Sequence, residues 1–262
     1  VTAVGVFDSG VGGLSVLAAL RAELPQENFV YFADTAYAPY GERGDAYVIE
    51  RSRSVVEHLR REHAIKALVV ACNTATTAAI HLLRAEHPDL PIVGLEPGLK
   101  PAVSASRTGR VSVMATRGTL ASAKYAALRA SFAGSADVRS VPCDGLVKAI
   151  EGFDAAGIAA LCERYMKEAG PFGDGPDGVD TVVLGCTHYP LVKDELSRHA
   201  PATLRFIDTG VPVAQQARRL LASAGRLADG GVGSLLLQSS GNVAVLEAAA
   251  ARWLGLPTAT EA

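Results

Sequence analysis

ALVVAC at Ala67–Cys72 and TVVLGC at Thr181–Cys186 decide the reading of this chain. Each is a short, almost wholly apolar run rich in β-branched residues, the pattern of a strand buried on both faces of a parallel sheet. Each ends in a cysteine and passes into polar residues, Asn73-Thr74 in the first and Thr187-His188 in the second. Outward from these two runs, further strands are read at AVGVF, NFVYFA, PIVGL, RVSVMA and GSLLLQ, separated by longer amphipathic stretches. That alternation predicts an α/β protein with mostly parallel sheets. In the helix after Asp45, Val48, Val55, Val56 and Leu59 share one face, Arg51, Arg53, Arg60 and Arg61 lie mostly elsewhere, and Asp45 is the expected cap.

Two proline-bearing crossings, GLEPGLKP (Gly94–Pro101) and DTGVP (Asp208–Pro212), divide the chain. The expectation is two α/β domains, the first of residues 1–97 with 209–262 and the second of residues 98–208 inserted into it.

The 262 residues carry 25 Lys and Arg against 27 Asp and Glu, and 49% of them are hydrophobic. A net charge of -2 supplies no attraction to nucleic acid or an anionic membrane, so a small polar ligand is the expected partner. The four cysteines, Cys72, Cys143, Cys162 and Cys186, are too few and scattered for a disulfide framework, which points to reduced thiols in the cytoplasm. VTAVGVF has no basic lead or small-residue cleavage site, and no apolar run reaches the ~18 residues of a membrane span, so neither secretion nor membrane insertion is expected.

A cysteine at the carboxyl end of a buried strand, beside the opening of a helix, stands where open α/β sheets bind ligands. Helix-mouth N–H groups favour a thiolate there. Asn73, Thr74, Thr76 and Thr77 suit a carboxylate at that mouth better than a helix interior, and Thr187 with His188 repeats the arrangement. Asp8-Ser9-Gly10 adds a carboxylate and a hydroxyl at the end of the first strand, although both residue types are also ordinary caps. His188, two residues after a strand-end cysteine, is a candidate general acid or base. Cys143 and Cys162 read as buried apolar groups, Cys162 within AALCERYM, and Glu151 reads as a surface carboxylate. Zinc is not expected, because Cys186-Thr187-His188 lacks paired ligand spacing. Gly10-Val11-Gly12-Gly13 with Asp34 suggests a dinucleotide fingerprint, but Ser15 occupies the place of its third glycine.

The anchors GVFDSGVGGLSVL, PYGER, VVACNTATT, EPGLKPA, MATRGT, LGCTHYPL and FIDTG occur in one order over almost the whole chain. With them the chain resembles the glutamate racemases of the aspartate/glutamate racemase superfamily. The resemblance implies two similar α/β domains facing each other across a cleft that holds glutamate, with neither pyridoxal phosphate nor metal as cofactor. It implies that Cys72 and Cys186 are the acid/base pair, assisted by Asp8 on one side and by His188 and Glu151 on the other. Asp8, Ser9, Tyr40, Gly41, Cys72, Asn73, Thr74, Thr116, Thr119, Cys186, Thr187 and His188 are the substrate-binding residues it implies. It further implies a supply of D-glutamate for peptidoglycan, and dimers are common in the family, so a homodimer is one expected assembly. Aspartate racemase is the neighbouring reading within the superfamily. From other classes come a nicotinamide-dependent oxidoreductase, a hydrolase or decarboxylase using one thiol and His188, and a non-catalytic amino-acid-binding protein.

Overall fold

The computed structural model describes residues 2–95 and 98–256. Glu96 and Pro97, which open EPGLKPA and mark the first expected domain boundary, lie outside the described residues. The chain forms two compact units, Val1–Glu96 with Gly210–Ala262, and Pro97–Thr209.

The first unit runs β1 (Val4–Asp8), α1 (Leu14–Glu23), β2 (Phe29–Ala33), α2 (Asp45–His63), β3 (Ala67–Val70), α3 (Asn73–Glu86) and β4 (Ile92–Gly94). The second contributes α4 (Leu99–Ala105), β5 (Arg110–Ala115), α5 (Arg117–Ala121), α6 (Ala123–Ala130), β6 (Asp137–Pro142), α7 (Leu146–Glu151), α8 (Ala155–Ala169), β7 (Thr181–Leu184), α9 (Lys193–Ser197) and β8 (Arg205–Ile207). The chain then returns to the first unit with α10 (Gly210–Ser223), β9 (Leu235–Ser239) and α11 (Val243–Leu254). Pro212 of DTGVP falls in the opening turn of α10, where its missing N–H would have had no helical partner anyway.

Both sheets are wholly parallel, ordered β4-β3-β1-β2-β9 and β6-β5-β7-β8. The central strands β1, β2, β3 and β7 are buried at every residue, which is why their sequences show no polar alternation. In the first sheet the chain leaves β1 toward β2, then crosses back to lay β3 on the other side of β1. In the second it leaves β5 toward β6, then crosses back to place β7 against β5. Each sheet therefore has a switch point, between β1 and β3 and between β5 and β7, where neighbouring strand ends diverge into a crevice.

Several local expectations are revised. Strands β6 and β8 were not expected: DVRSVP is half-exposed at a sheet edge and ends in proline, while RFI is only three residues long. Helix α2 begins at Asp45 itself behind a Gly44 N-cap, so Asp45 favours the helix dipole from the first turn instead of capping it. Val48, Val55, Val56 and Leu59 are buried as the pattern requires, but Arg51 also turns inward, its side chain only 18% exposed.

Candidate active site

On the first unit, Asp8 ends β1 and Cys72 follows β3, so the strand order brings residues 64 positions apart in sequence to one switch point. Asp8 is buried, and its carboxylate accepts N–H bonds from Ser9 at 2.8 Å and Gly13 at 2.6 Å, which pins the Ser9–Gly13 loop beneath the site. Cys72 is the N-cap of α3, in extended backbone, with Sγ accepting from the Ala75 N–H at 3.5 Å and lying 3.6 Å from Ser9 Oγ. Sulfur thus stands where a capping oxygen usually does, before a helix mouth whose Asn73 and Thr74 are half-buried. Burial and the neighbouring Asp8 carboxylate nevertheless outweigh those donors and push the Cys72 thiol up to about 12, so it rests protonated.

Tyr40 and Gly41 follow β2 on a short 3₁₀ turn of the same unit. A Cβ on Gly41 would lie 3.8 Å from Thr74 Oγ1, so this turn reaches the mouth of α3. The Tyr40 side chain is fully buried and donates its hydroxyl to Asp34 at 2.6 Å. What Tyr40 and Gly41 present outward is therefore main chain. The same contact bears on the dinucleotide fingerprint: both Asp34 oxygens are taken inside the protein, by Tyr40 and by Arg51, instead of facing outward toward a ribose.

On the second unit, Thr116 follows β5 and Cys186 follows β7, again at the switch point. Gly185 lets the two strand ends close together, since a Cβ there would lie 2.9 Å from the Met114 carbonyl oxygen. Cys186 Sγ is 3.7 Å from His188 Nδ1, and His188 Nε2 is 2.9 Å from Glu151 Oε1 at the end of α7. Burial alone would drive the imidazole neutral, but the Cys186 sulfur and the Glu151 carboxylate overcome it and hold the pKa of His188 well above its ordinary value. Thr187 is buried beside them, and Thr116 caps α5, its Oγ1 3.0 Å from Thr119 Oγ1.

The helix expected after Cys186 is instead a 3₁₀ turn at Tyr189–Val192 leading into the five-residue α9, because Pro190 has no N–H to give. Glu151, read from sequence as a surface carboxylate, is half-buried against His188. Cys162 is buried on α8 with its thiol pushed up to about 12 by burial, and burial likewise raises Cys143. Arg51 and Tyr189 escaped the sequence reading. Arg51 was hidden among helix arginines, whereas Tyr189, fully buried behind Cys186, stood within the LGCTHYPL anchor.

Among the described residues no three His, Cys, Asp or Glu side chains gather as metal ligands, and no helix is long and apolar enough to cross a membrane.

Residues 14–217 match the family model described as Asp/Glu/Hydantoin racemase. A glutamate racemase of Pseudomonas paraeruginosa is 50% identical over 229 residues, 87% of this chain and 84% of that protein. The chain belongs to the glutamate racemase family. Its members are isomerases. Solved glutamate racemases share its fold. A glutamate racemase isoform of Bacillus anthracis superposes with a TM-score of 0.84 at 31% identity, covering 97% of this chain and 94% of that one. The Escherichia coli glutamate racemase, solved with L-glutamate and the activator UDP-MurNAc-ala, superposes with a TM-score of 0.83 at 31% identity, covering 97% and 96%.

Proposed function

We propose that this racemase interconverts L- and D-glutamate without a cofactor, using Cys72 and Cys186 as its two acid/base groups. The observation that carries the reading is the duplicated switch point: each parallel sheet places one buried cysteine at its crevice, and each cysteine has its own titratable neighbour, Asp8 or the His188–Glu151 pair. Racemisation requires one group to take the α-proton from one face of a planar carbanion and another to deliver a proton to the opposite face. A single-thiol hydrolase would need only one such centre.

In the L-to-D direction the Cys186 thiolate removes the α-proton and the Cys72 thiol protonates the other face; in the D-to-L direction the roles exchange. A protonated Cys72 is the acid that the first of these needs. For Cys72 to act as base, its proton must have somewhere to go, and the Asp8 carboxylate is the adjacent acceptor. His188, anchored by Glu151, relays protons to and from Cys186 Sγ. Asn73, Thr74 and Thr187, with the N–H groups at the mouth of α3, take the substrate carboxylates and stabilise the charge that develops on deprotonation. Ser9, Tyr40, Gly41, Thr116 and Thr119 complete the binding residues we assign. In the cell this activity would supply D-glutamate for peptidoglycan from the cytoplasm.

The test is L-glutamate in deuterated water with no added cofactor. Loss of optical rotation together with deuterium at the α-carbon is the expected result, and retention of both rotation and protium sinks the reading. Cys72→Ser and Cys186→Ser should each lower turnover by a factor on the order of a thousand, in keeping with the loss of an acid/base group. Near wild-type turnover in either variant would remove that cysteine from the mechanism.

A further inference from the structure

Asp34 is fully buried at the end of β2, next to Asp8 on the neighbouring strand, and its N–H donates to the Asp8 carbonyl oxygen at 2.9 Å. Its carboxylate is held by three donors. Arg51 grips it with Nε on Oδ2 and Nη2 on Oδ1, both at 3.0 Å, and the Tyr40 hydroxyl donates to Oδ2 at 2.6 Å. The Arg51 guanidinium lies 3.4 Å from the centre of the Tyr37 ring, while the Tyr40 ring meets Phe7 and Tyr47 edge-on, at centroid distances of 6.2 and 6.4 Å. Through these contacts a helix residue and a strand-end residue grip both ends of the turn that carries Gly41 to Thr74.

A buried ion pair contributes little net stability, because desolvation cancels most of its attraction. What it does supply is direction: a forked guanidinium fixes the carboxylate plane, and a charge-assisted bond then fixes the phenol. We propose that Asp34 and Arg51 are positioning residues for the glutamate site, holding the Tyr40–Gly41 main chain against the mouth of α3. The inference rests on the racemase reading, since it assigns that turn to substrate. Neither side chain meets the reacting atoms, so both should act on substrate affinity far more than on turnover.

The discriminating protein is the full chain carrying Asp34→Asn and Arg51→Met together, which removes both charges at once so that neither is left buried without its counter-charge. Hydrogen–deuterium exchange of the ligand-free protein should speed about fivefold or more over residues 36–44 while β1 and β3 keep their protection. The KM for both enantiomers should rise about tenfold with kcat within about threefold of wild type. Arg51→Lys, which keeps the charge but not the fork, should fall between wild type and the double variant. Unchanged exchange over residues 36–44 overturns the proposal whatever the kinetics, and a loosened turn with wild-type KM overturns the link to substrate. A fall in kcat at unchanged KM overturns it as well, because that is the mark of a group acting in the transition state. If the wild-type protein itself leaves the α-proton of glutamate unexchanged, the racemase reading fails and the positioning role falls with it. If the wild type exchanges the α-proton and the double variant matches it in KM and in the amide exchange of residues 36–44, the positioning role alone fails.

Discussion

Gly13→Ala tests whether the floor beneath Cys72 is as tightly built as its geometry requires. Gly13 precedes α1 with φ of −60°, so the backbone would accept alanine and the only obstacle is space. A Cβ there would stand 2.8 Å from both Asp8 Cβ and the Tyr31 hydroxyl, and 3.1 Å from Ala71 Cβ. Asp8 and Tyr31 belong to β1 and β2, and Ala71 directly follows β3, so the neighbours cannot move apart without opening the centre of the sheet. Overpacking of this kind costs about 1–3 kcal/mol. Turning the Tyr31 hydroxyl away from the Gly10 carbonyl oxygen, to which it donates at 2.9 Å, adds about 1 kcal/mol. Replacing glycine restricts the unfolded chain and returns about 0.4–1 kcal/mol. The net loss is about 1–3.6 kcal/mol, and at about 2–4 °C per kcal/mol for a chain of roughly this size the melting temperature should fall by roughly 2–14 °C. Scanning calorimetry reads the shift directly. Tyr31→Phe in the same chain takes away one of the clashing atoms, so the double variant should melt higher than the sum of the single effects predicts. Because the Gly13 N–H also binds the Asp8 carboxylate, α-proton exchange should slow in the same variant. A Gly13→Ala protein that melts within about 1 °C of wild type would refute the account of this loop as close-packed.

Glu151→Gln removes the carboxylate that helps hold His188 protonated, so the imidazole titration followed by NMR should move to lower pH and racemisation should slow about tenfold or more; an unmoved titration would dissociate Glu151 from His188. Raising the pH should weaken the fold. Cys72 and Cys162 stay protonated in the native state up to about 12, whereas their unfolded thiols ionise from about 9.0, so the unfolded state binds fewer protons between those values. Stability present below about 9.0 is therefore lost as pH climbs through that window, and Cys162→Ala should flatten the decline in urea midpoint. A midpoint independent of pH across the window would contradict the burial of these thiols.

The amino-acid order by itself determined the elements that are buried on both faces. ALVVAC and TVVLGC could be read as central strands because a parallel strand covered on both sides has no solvent face to carry polar residues. It also announced two chemically alike strand ends, since Asn, Thr and His directly after such runs suit a helix mouth better than a helix interior. Elements whose stability comes from partners escaped it: β8 is three residues long and β6 alternates only weakly, so their pairing with β7 and β5 supplies what local pattern lacks. Side-chain direction was likewise out of reach. Arg51 on α2 looks like its neighbours Arg53, Arg60 and Arg61 until a buried carboxylate 17 residues upstream is placed beside it. Only the tertiary structure decided the strand order, and with it which strand ends become neighbours. Asp8 and Ser9 reach Cys72, and Glu151 reaches His188, because crossover connections return the chain to the far side of a strand already laid down. Hydrogen bonding between whole strands sets that order, and no periodicity within one strand encodes it.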